Sequence, residues 1–338
     1  MSQPIEVIGG VDTHTDVHQA AVIDTIGRHL ATEAFPTTPA GYRDLLEWLH
    51  SHGRVLVVGM EGTGSFGAEL GRYLRGNQIA VIEVDRPDRR ATAVLAGRAT
   101  GTPKHRDGAV VAIRGLRVVR ASAVKARTQT VNQMKSLIIT ALAEVREALR
   151  SLTTTELVRR LTASRPGTDP DTPATAVRLA LKRLARRYRH LNEEIADADA
   201  DLRGLITRAA PALLALTGVG AETAGQLLVT AGDNPDRLAS EASFAHLCAA
   251  APVPASSGRT DRHRLNRGGD RQANRALHTI VLVRMRHDPR TRDYVARRTL
   301  EGLKSKDIFR CLKRFVAREV YHHLTSALSG TPGPSPTA

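Results

Sequence analysis

Aromatic side chains are scarce, with Phe, Trp and Tyr making up 3% of the 338 residues. That excludes a single-strand binder built on a broad platform of stacked rings, which needs one aromatic for each base it holds. Cysteine is scarcer still. Cys248 and Cys311 are the only two and have no Cys-x-x-Cys spacing, which excludes a disulfide framework and a thiolate zinc site. They read as reduced core thiols of an intracellular chain. No apolar run reaches the ~20 residues that span a bilayer. The start, Met1-Ser2-Gln3-Pro4-Ile5-Glu6, has no basic stretch followed by an apolar one, so neither an export signal nor a membrane role is expected.

What the chain has in excess is arginine. Lys and Arg number 49 against 34 Asp and Glu, a formal charge of +15. Residues 255–320 hold 18 Lys and Arg against 7 acids, so one-fifth of the length carries most of the surplus. Such a concentration favours a polyanionic partner, attracted through its phosphates.

Val- and Ile-rich runs at Glu6–Val11, Gln19–Ile23, Val55–Gly59 and Ile79–Val84 read as strands. Helical stretches follow at roughly 40–51, 66–75 and 106–117. This alternation predicts a mixed sheet covered by helices, of the ribonuclease-H-like kind, over residues 5–118. Residues 119–208 are expected to be helical, with a linker near 163–173. In that region Val177, Leu181, Leu184, Tyr188, Leu191, Ile195, Ala198, Leu202 and Leu205 recur at steps of four and three. Heptads of this kind predict a coiled coil. Its bases (Arg178 to Arg189) precede its acids (Glu193 to Asp201), an order that opposes the helix dipole. An antiparallel partner would match the charges, either a second subunit or the helix at 119–152. Residues 209–327 form a second, all-helical domain, and 328–338 a disordered Gly/Pro/Ser/Thr tail. In Thr217-Gly218-Val219-Gly220 the glycines resemble a helix-hairpin-helix turn, with Gly218 and Gly220 as backbone contacts to a phosphate.

Two acids close apolar, β-branched runs: Asp12 after Val7–Val11 and Glu61 after Val55–Met60. Carboxylates at neighbouring strand ends can share a divalent ion, and Mg²⁺ prefers such hard oxygens. Ser256-Ser257-Gly258 opens the arginine-dense segment. Arg259, Arg262, Arg264, Arg267, Arg271 and Arg275 follow it closely and read as phosphate contacts that position a duplex without reading its sequence.

Taken in order, Gly10-Val11-Asp12-Thr13-His14, Glu61-Gly62-Thr63-Gly64, Val84-Asp85-Arg86-Pro87-Asp88-Arg89, Thr217-Gly218-Val219-Gly220 and Ala251-Pro252-Val253-Pro254-Ala255-Ser256-Ser257-Gly258 resemble one family. It is the insertion-sequence transposases with an N-terminal RuvC-like DEDD domain and a C-terminal serine domain, similar to the bridge-RNA-guided recombinases. The resemblance covers roughly residues 5–325. It implies four acids holding Mg²⁺ and a serine that attacks the DNA backbone to form a phosphoserine link. Asp12 matches the first acid, Glu61 the second, Asp107 the fourth and Ser257 the nucleophile, with Ser256 as the fallback. Lys104 stands where the third acid belongs. The resemblance also implies double-stranded DNA and a guide RNA as partners. It further implies a homodimer or tetramer, for which the coiled coil is the expected contact; a cytoplasmic, nucleoid-associated location is also expected. The competing expectation is a nucleic-acid-binding remnant that has lost cleavage through Lys104.

Overall fold

The computed structural model describes residues 5–84, 90–97, 101–105, 108–167, 171–234, 237–255, 263–264 and 266–328. The chain divides into two compact units. One comprises residues 1–110, 231–244 and 324–331; the other comprises 111–230, 245–323 and 332–338.

The first unit is built on a five-stranded mixed sheet. Its strands are β1 (Glu6–Asp12), β2 (Val17–Asp24), β3 (His29–Pro36), β4 (Arg54–Met60) and β5 (Ala80–Glu83), in the order β3-β2-β1-β4-β5. The first three pair antiparallel, whereas β4 lies parallel to β1 and β5 parallel to β4. Parallel neighbours need crossovers. These are α1 (Pro39–Ser51) between β3 and β4, and α2 (Ala68–Gly76) between β4 and β5. Thr38 starts α1, accepting the Gly41 amide on its hydroxyl while Pro39 takes the first helical position. Strand alternation sends Val7, Val11, Val58 and Met60 into one core with Tyr42, Leu45, Leu49, Leu70 and Leu74 of the two helices. Ile8 and Val57 face the other side, where Ala91 and Leu95 of α3 (Arg90–Leu95) cover them. The arrangement is compatible with the ribonuclease-H-like expectation.

The remaining elements are mostly helical: α4 (Ala109–Thr140), α5 (Ala143–Leu149), α6 (Thr154–Ala163), α7 (Pro173–Ala209), α8 (Pro211–Leu214), α9 (Ala221–Ala231) and α10 (Glu241–Leu247). A two-stranded ribbon of β6 (Val253–Pro254) and β7 (His263–Arg264) precedes α11 (Arg271–His287), α12 (Pro289–Leu300) and α13 (Ser305–Leu328). The division expected at 118/119 lies inside α4, a 32-residue helix. The tail expected to be disordered lies outside the described residues, apart from Leu328.

The antiparallel partner of α7 is the chain's own α4. Arg120 donates to Asp199 at 2.5 Å and Arg127 to Asn192 at 2.7 Å. Further along, Leu181 and Ala185 join Met134, Ile138, Leu157 and Leu161 in one core. Asp199 in the acidic half of α7 therefore pairs with Arg120 of α4, and Arg178 in its basic half pairs with Glu144 of α5. The seam also drifts from the strict heptad. Ile206 is fully buried, whereas Leu205, the expected position, is only half-buried. A straight helix with 3.6 residues per turn slips against a seven-residue repeat in this direction.

Candidate functional site

Asp12 is the last residue of β1, and Glu61 follows the last residue of β4. The parallel register ends on Val11↔Met60, so these two acids are the next matched positions. Val11 and Met60 point into the α1–α2 core, and alternation turns Asp12 and Glu61 to the opposite face. Both are partly exposed. The strand ends are tied twice: the Glu61 amide donates to the Val11 carbonyl at 3.4 Å, and the Thr13 hydroxyl donates to the Glu61 carbonyl at 2.9 Å. Thr13 is buried under the turn that follows β4, where a Cβ at Gly62 would stand 2.9 Å from its hydroxyl and one at Gly67 2.9 Å from its methyl. His14 Nε2 lies 3.5 Å from the Asp12 carboxylate.

The segment expected to carry the third and fourth acids starts against β5, where the Glu83 amide donates to the Gly101 carbonyl at 2.8 Å. It is then held by two residues far along the sequence. Asn234 accepts the His105 amide at 2.7 Å and donates to the Pro103 carbonyl at 2.9 Å. Asp233 donates its amide to the His105 carbonyl at 3.1 Å. Its carboxylate accepts the amides of Gly108 and Val110, at 3.1 and 3.2 Å, at the start of α4. Donors at a helix start are otherwise orphaned, so Asp233 acts as a cap supplied from a distance. Gly232, at φ +89°, completes the clip: a Cβ there would stand 2.4 Å from Lys104 Cγ, so the lysine stem fills the space that a side chain would need. Asp107 lies outside the described residues. The signal Gly232-Asp233-Asn234 reads locally as an ordinary turn, and nothing in it marks a partner more than 120 residues away.

Asp12 and Glu61 offer hard oxygen donors, which fit a Mg²⁺ ion that keeps several waters. Lys104 does not fit as a ligand, because an ammonium has no lone pair to give. Among the described residues no three His, Cys, Asp or Glu side chains gather as a metal site.

On the serine side, Ser256, Ser257, Arg259 and Arg262 fall between β6 and β7 and lie outside the described residues. The chain leaving β7 is firmly anchored. Asn266 donates to the His246 carbonyl at 2.9 Å, and the Asp270 amide to the Leu247 carbonyl at 2.7 Å. Asp270 caps α11 through the amides of Gln272 and Ala273, and accepts the Thr230 hydroxyl at 2.8 Å. Arg264, Arg267, Arg271 and Arg275 are all exposed. Arg271 occupies the first turn of α11, where the dipole disfavours a cation and an anion would relieve it, and Arg275 follows one turn on.

The expected turn at Gly218 and Gly220 has a packing role. Gly218, at φ +80°, faces α11, where a Cβ would meet the Ile280 carbonyl at 3.1 Å. The Gly220 amide donates to the Thr223 hydroxyl at 3.0 Å.

Comparison with known proteins agrees with this layout. A model described as the transposase IS116/IS110/IS902 family matches residues 210–296, and a transposase model of the IS110 DEDD type matches residues 9–97. The chain belongs to the IS110/IS116/IS902 transposase family. Within this family it is similar to an uncharacterized 42 kDa protein of insertion element IS900 from Mycobacterium paratuberculosis. The identity is 32% over 39% of this chain and 34% of the relative. It is also similar to an uncharacterized 43.6 kDa protein of insertion element IS110 from Streptomyces coelicolor, 38% identical over 27% of this chain and 23% of the relative. The matches thus span about a third or less of those relatives' lengths. Asp233 and Asn234 lie inside the second matched region of this IS110-family chain, yet they fold with the segment that follows the first. No helix among the described residues is long and apolar enough to cross a membrane.

Proposed function

We propose that this chain is a DNA transposase, acting in the cytoplasm, that cuts and rejoins double-stranded DNA at the ends of an insertion sequence and at its target. Ser257 is the nucleophile, with Ser256 the fallback, and Asp12, Glu61 and Asp107 hold Mg²⁺. The serine oxygen attacks phosphorus, its proton leaves to a base, and the departing strand end takes a proton to become a hydroxyl. A strand hydroxyl attacking the phosphoserine then reverses the exchange and frees the enzyme. Mg²⁺ supplies charge neutralisation at the phosphodiester. Arg264, Arg267, Arg271 and Arg275, with Arg259 and Arg262, grip the DNA backbone beside the serine. Sequence choice falls to an element-encoded guide RNA, consistent with the small number of aromatic side chains. The family assembly of two or four copies uses surfaces other than the α7 seam, which α4 to α6 cover.

The observation that carries this reading is the matched pair of acids, Asp12 and Glu61, at the ends of adjacent parallel strands in a chain of this family. The test is a covalent-adduct assay on element-end DNA. A protein–DNA adduct that disappears in Ser257→Ala and in Asp12→Asn, with DNA binding intact, is the expected result.

Lys104 favours a second reading, a binding remnant without cleavage, since its stem is packed against Gly232 as a built-in feature of the fold. Restoring the acid with Lys104→Asp separates the two. A remnant gains adduct formation only with the restored acid, whereas an active enzyme forms it with lysine in place.

A further inference from the structure

The helical unit has a cleft of about 570 Å³ between α11, α12 and α13. That size lies within the range of about 300–1,000 Å³ typical of small-ligand sites. Val281, Leu312 and Val316 are buried beneath it. Phe315 stands on its wall, 48% exposed, in a T-shaped contact with Tyr294 at a centroid distance of 5.6 Å and an interplanar angle of 88°. The Tyr294 ring is already occupied, by the guanidinium groups of Arg297 and Arg298 at 5.5 and 6.0 Å. Phe315 is therefore the ring with surface left to offer, held in place by its neighbour.

The charges around it are not balanced. Asp288 caps α12 through the Thr291 amide at 3.0 Å, and Glu319 is taken by Arg284 at 2.6 Å. Arg284 also donates to the Thr217 carbonyl, and its second terminal nitrogen is buried with no partner among the described residues. Arg290, exposed at the rim, has no ion pair among the described residues, and Arg318 is exposed on the same cleft. With its acids engaged, the cleft presents an open ring bordered by cations.

We propose that this cleft binds one unpaired nucleotide of a nucleic-acid strand, its base stacked on Phe315 and its phosphate paired with Arg290. A duplex keeps both base faces in its own stack, so only an unpaired or extruded nucleotide can give a face to Phe315. The cleft lies outside the acid pair and the serine segment, and the binding it provides does not depend on strand cleavage.

The test uses the full chain and fluorescence anisotropy with a labelled mixed-sequence 12-mer, as RNA, as DNA and as a blunt DNA duplex. Phe315→Ala should weaken binding of the unpaired strand about fivefold or more, while duplex affinity changes less than about twofold. Phe315→Trp, which keeps a stacking face, should restore unpaired-strand binding. Arg290→Ala should lower the salt slope for single strands by about 0.7. A loss confined to RNA names an RNA strand as the source of the nucleotide, a loss confined to DNA a displaced DNA strand, and a loss in both an unpaired nucleotide of either kind. Unchanged affinity in Phe315→Ala, an equal loss on the duplex, or failure of Phe315→Trp to restore binding overturns the proposal. Adduct formation on element-end DNA is read separately from this binding, so cleavage and this site can fail separately.

Discussion

The hydroxyl of Thr13 reaches from the end of β1 to the main-chain carbonyl of Glu61, 2.9 Å away. It joins the residue after one site acid to the backbone of the other. Thr13→Val keeps the shape but removes the donor, and losing the bond should cost about 0.5–1.5 kcal/mol. Thr13→Ser keeps the donor and should lose less. Urea unfolding measures the difference. Equal midpoints for the valine and parent proteins would show that the bond contributes nothing to the strand ends.

Gly232 and Lys104 make a sharper case. Gly232→Ala forces a Cβ to within 2.4 Å of Lys104 Cγ and strains a backbone at φ +89°. Lys104→Ala relieves the first cost and leaves the second. A double-mutant cycle in thermal or urea unfolding should therefore show coupling of about 0.5–3 kcal/mol, with the double variant more stable than the sum of the singles predicts. Additive effects would place the lysine stem away from Gly232.

A related expectation concerns Asp233. Asp233→Ala strips the cap from the Gly108 and Val110 amides and should cost about 0.5–2 kcal/mol. Hydrogen exchange should rise at Gly108 and Val110 before it rises in the sheet, because the loss is local. Protection unchanged at both amides would remove Asp233 as their cap.

Much of this was legible in the sequence because it is local. β-branched runs ending on Asp12 and Glu61 announced two strands, and the register then had little choice but to set the acids side by side. The α7 stripe was equally plain, but its partner was not. A periodic apolar face specifies that something covers it and leaves open whether that is α4 or another subunit. Ile206 takes the buried place that strict heptad counting gives to the half-buried Leu205, because 3.6 residues per turn slip against a seven-residue repeat. The clip formed by Asp233 and Asn234 left no signal, since a cap reaching across more than 120 residues has the same composition as a turn. The Gly-x-Gly spacing gives no sign that Gly218 packs on α11 or that the Gly220 amide bonds to Thr223.

His18 sits fully buried on β2, stacked on Tyr42 at 5.8 Å, with neither ring nitrogen hydrogen-bonded among the described residues. Burial pushes its pKa below the usual 6.5, and the nearby His14 adds to the shift. The unfolded chain therefore binds this proton more readily than the folded one. Stability from this residue is complete above about pH 6.5 and falls as the pH drops below it. His18→Phe keeps the stacking and removes the titration. Melting temperatures of parent and variant should diverge between pH 7 and pH 5, with the parent losing more. Parallel curves would mean that His18 does not titrate on unfolding.

Arg271 and Arg275 stand at the dipole-positive start of α11, exposed and one turn apart. Arg271, in the first turn, lies where a cation lowers helix stability in isolation, by about 0.3–1 kcal/mol. Replacing either with glutamine should leave the folded protein as stable or slightly more so. If both contact duplex phosphates, each replacement should lower the slope of log K against log salt by about 0.9 and weaken binding of all sequences alike. Combining that titration with thermal unfolding distinguishes a binding role from a solvated face. A solvated face would give unchanged slopes in both variants, and the serine segment would then need another basic surface to hold its DNA.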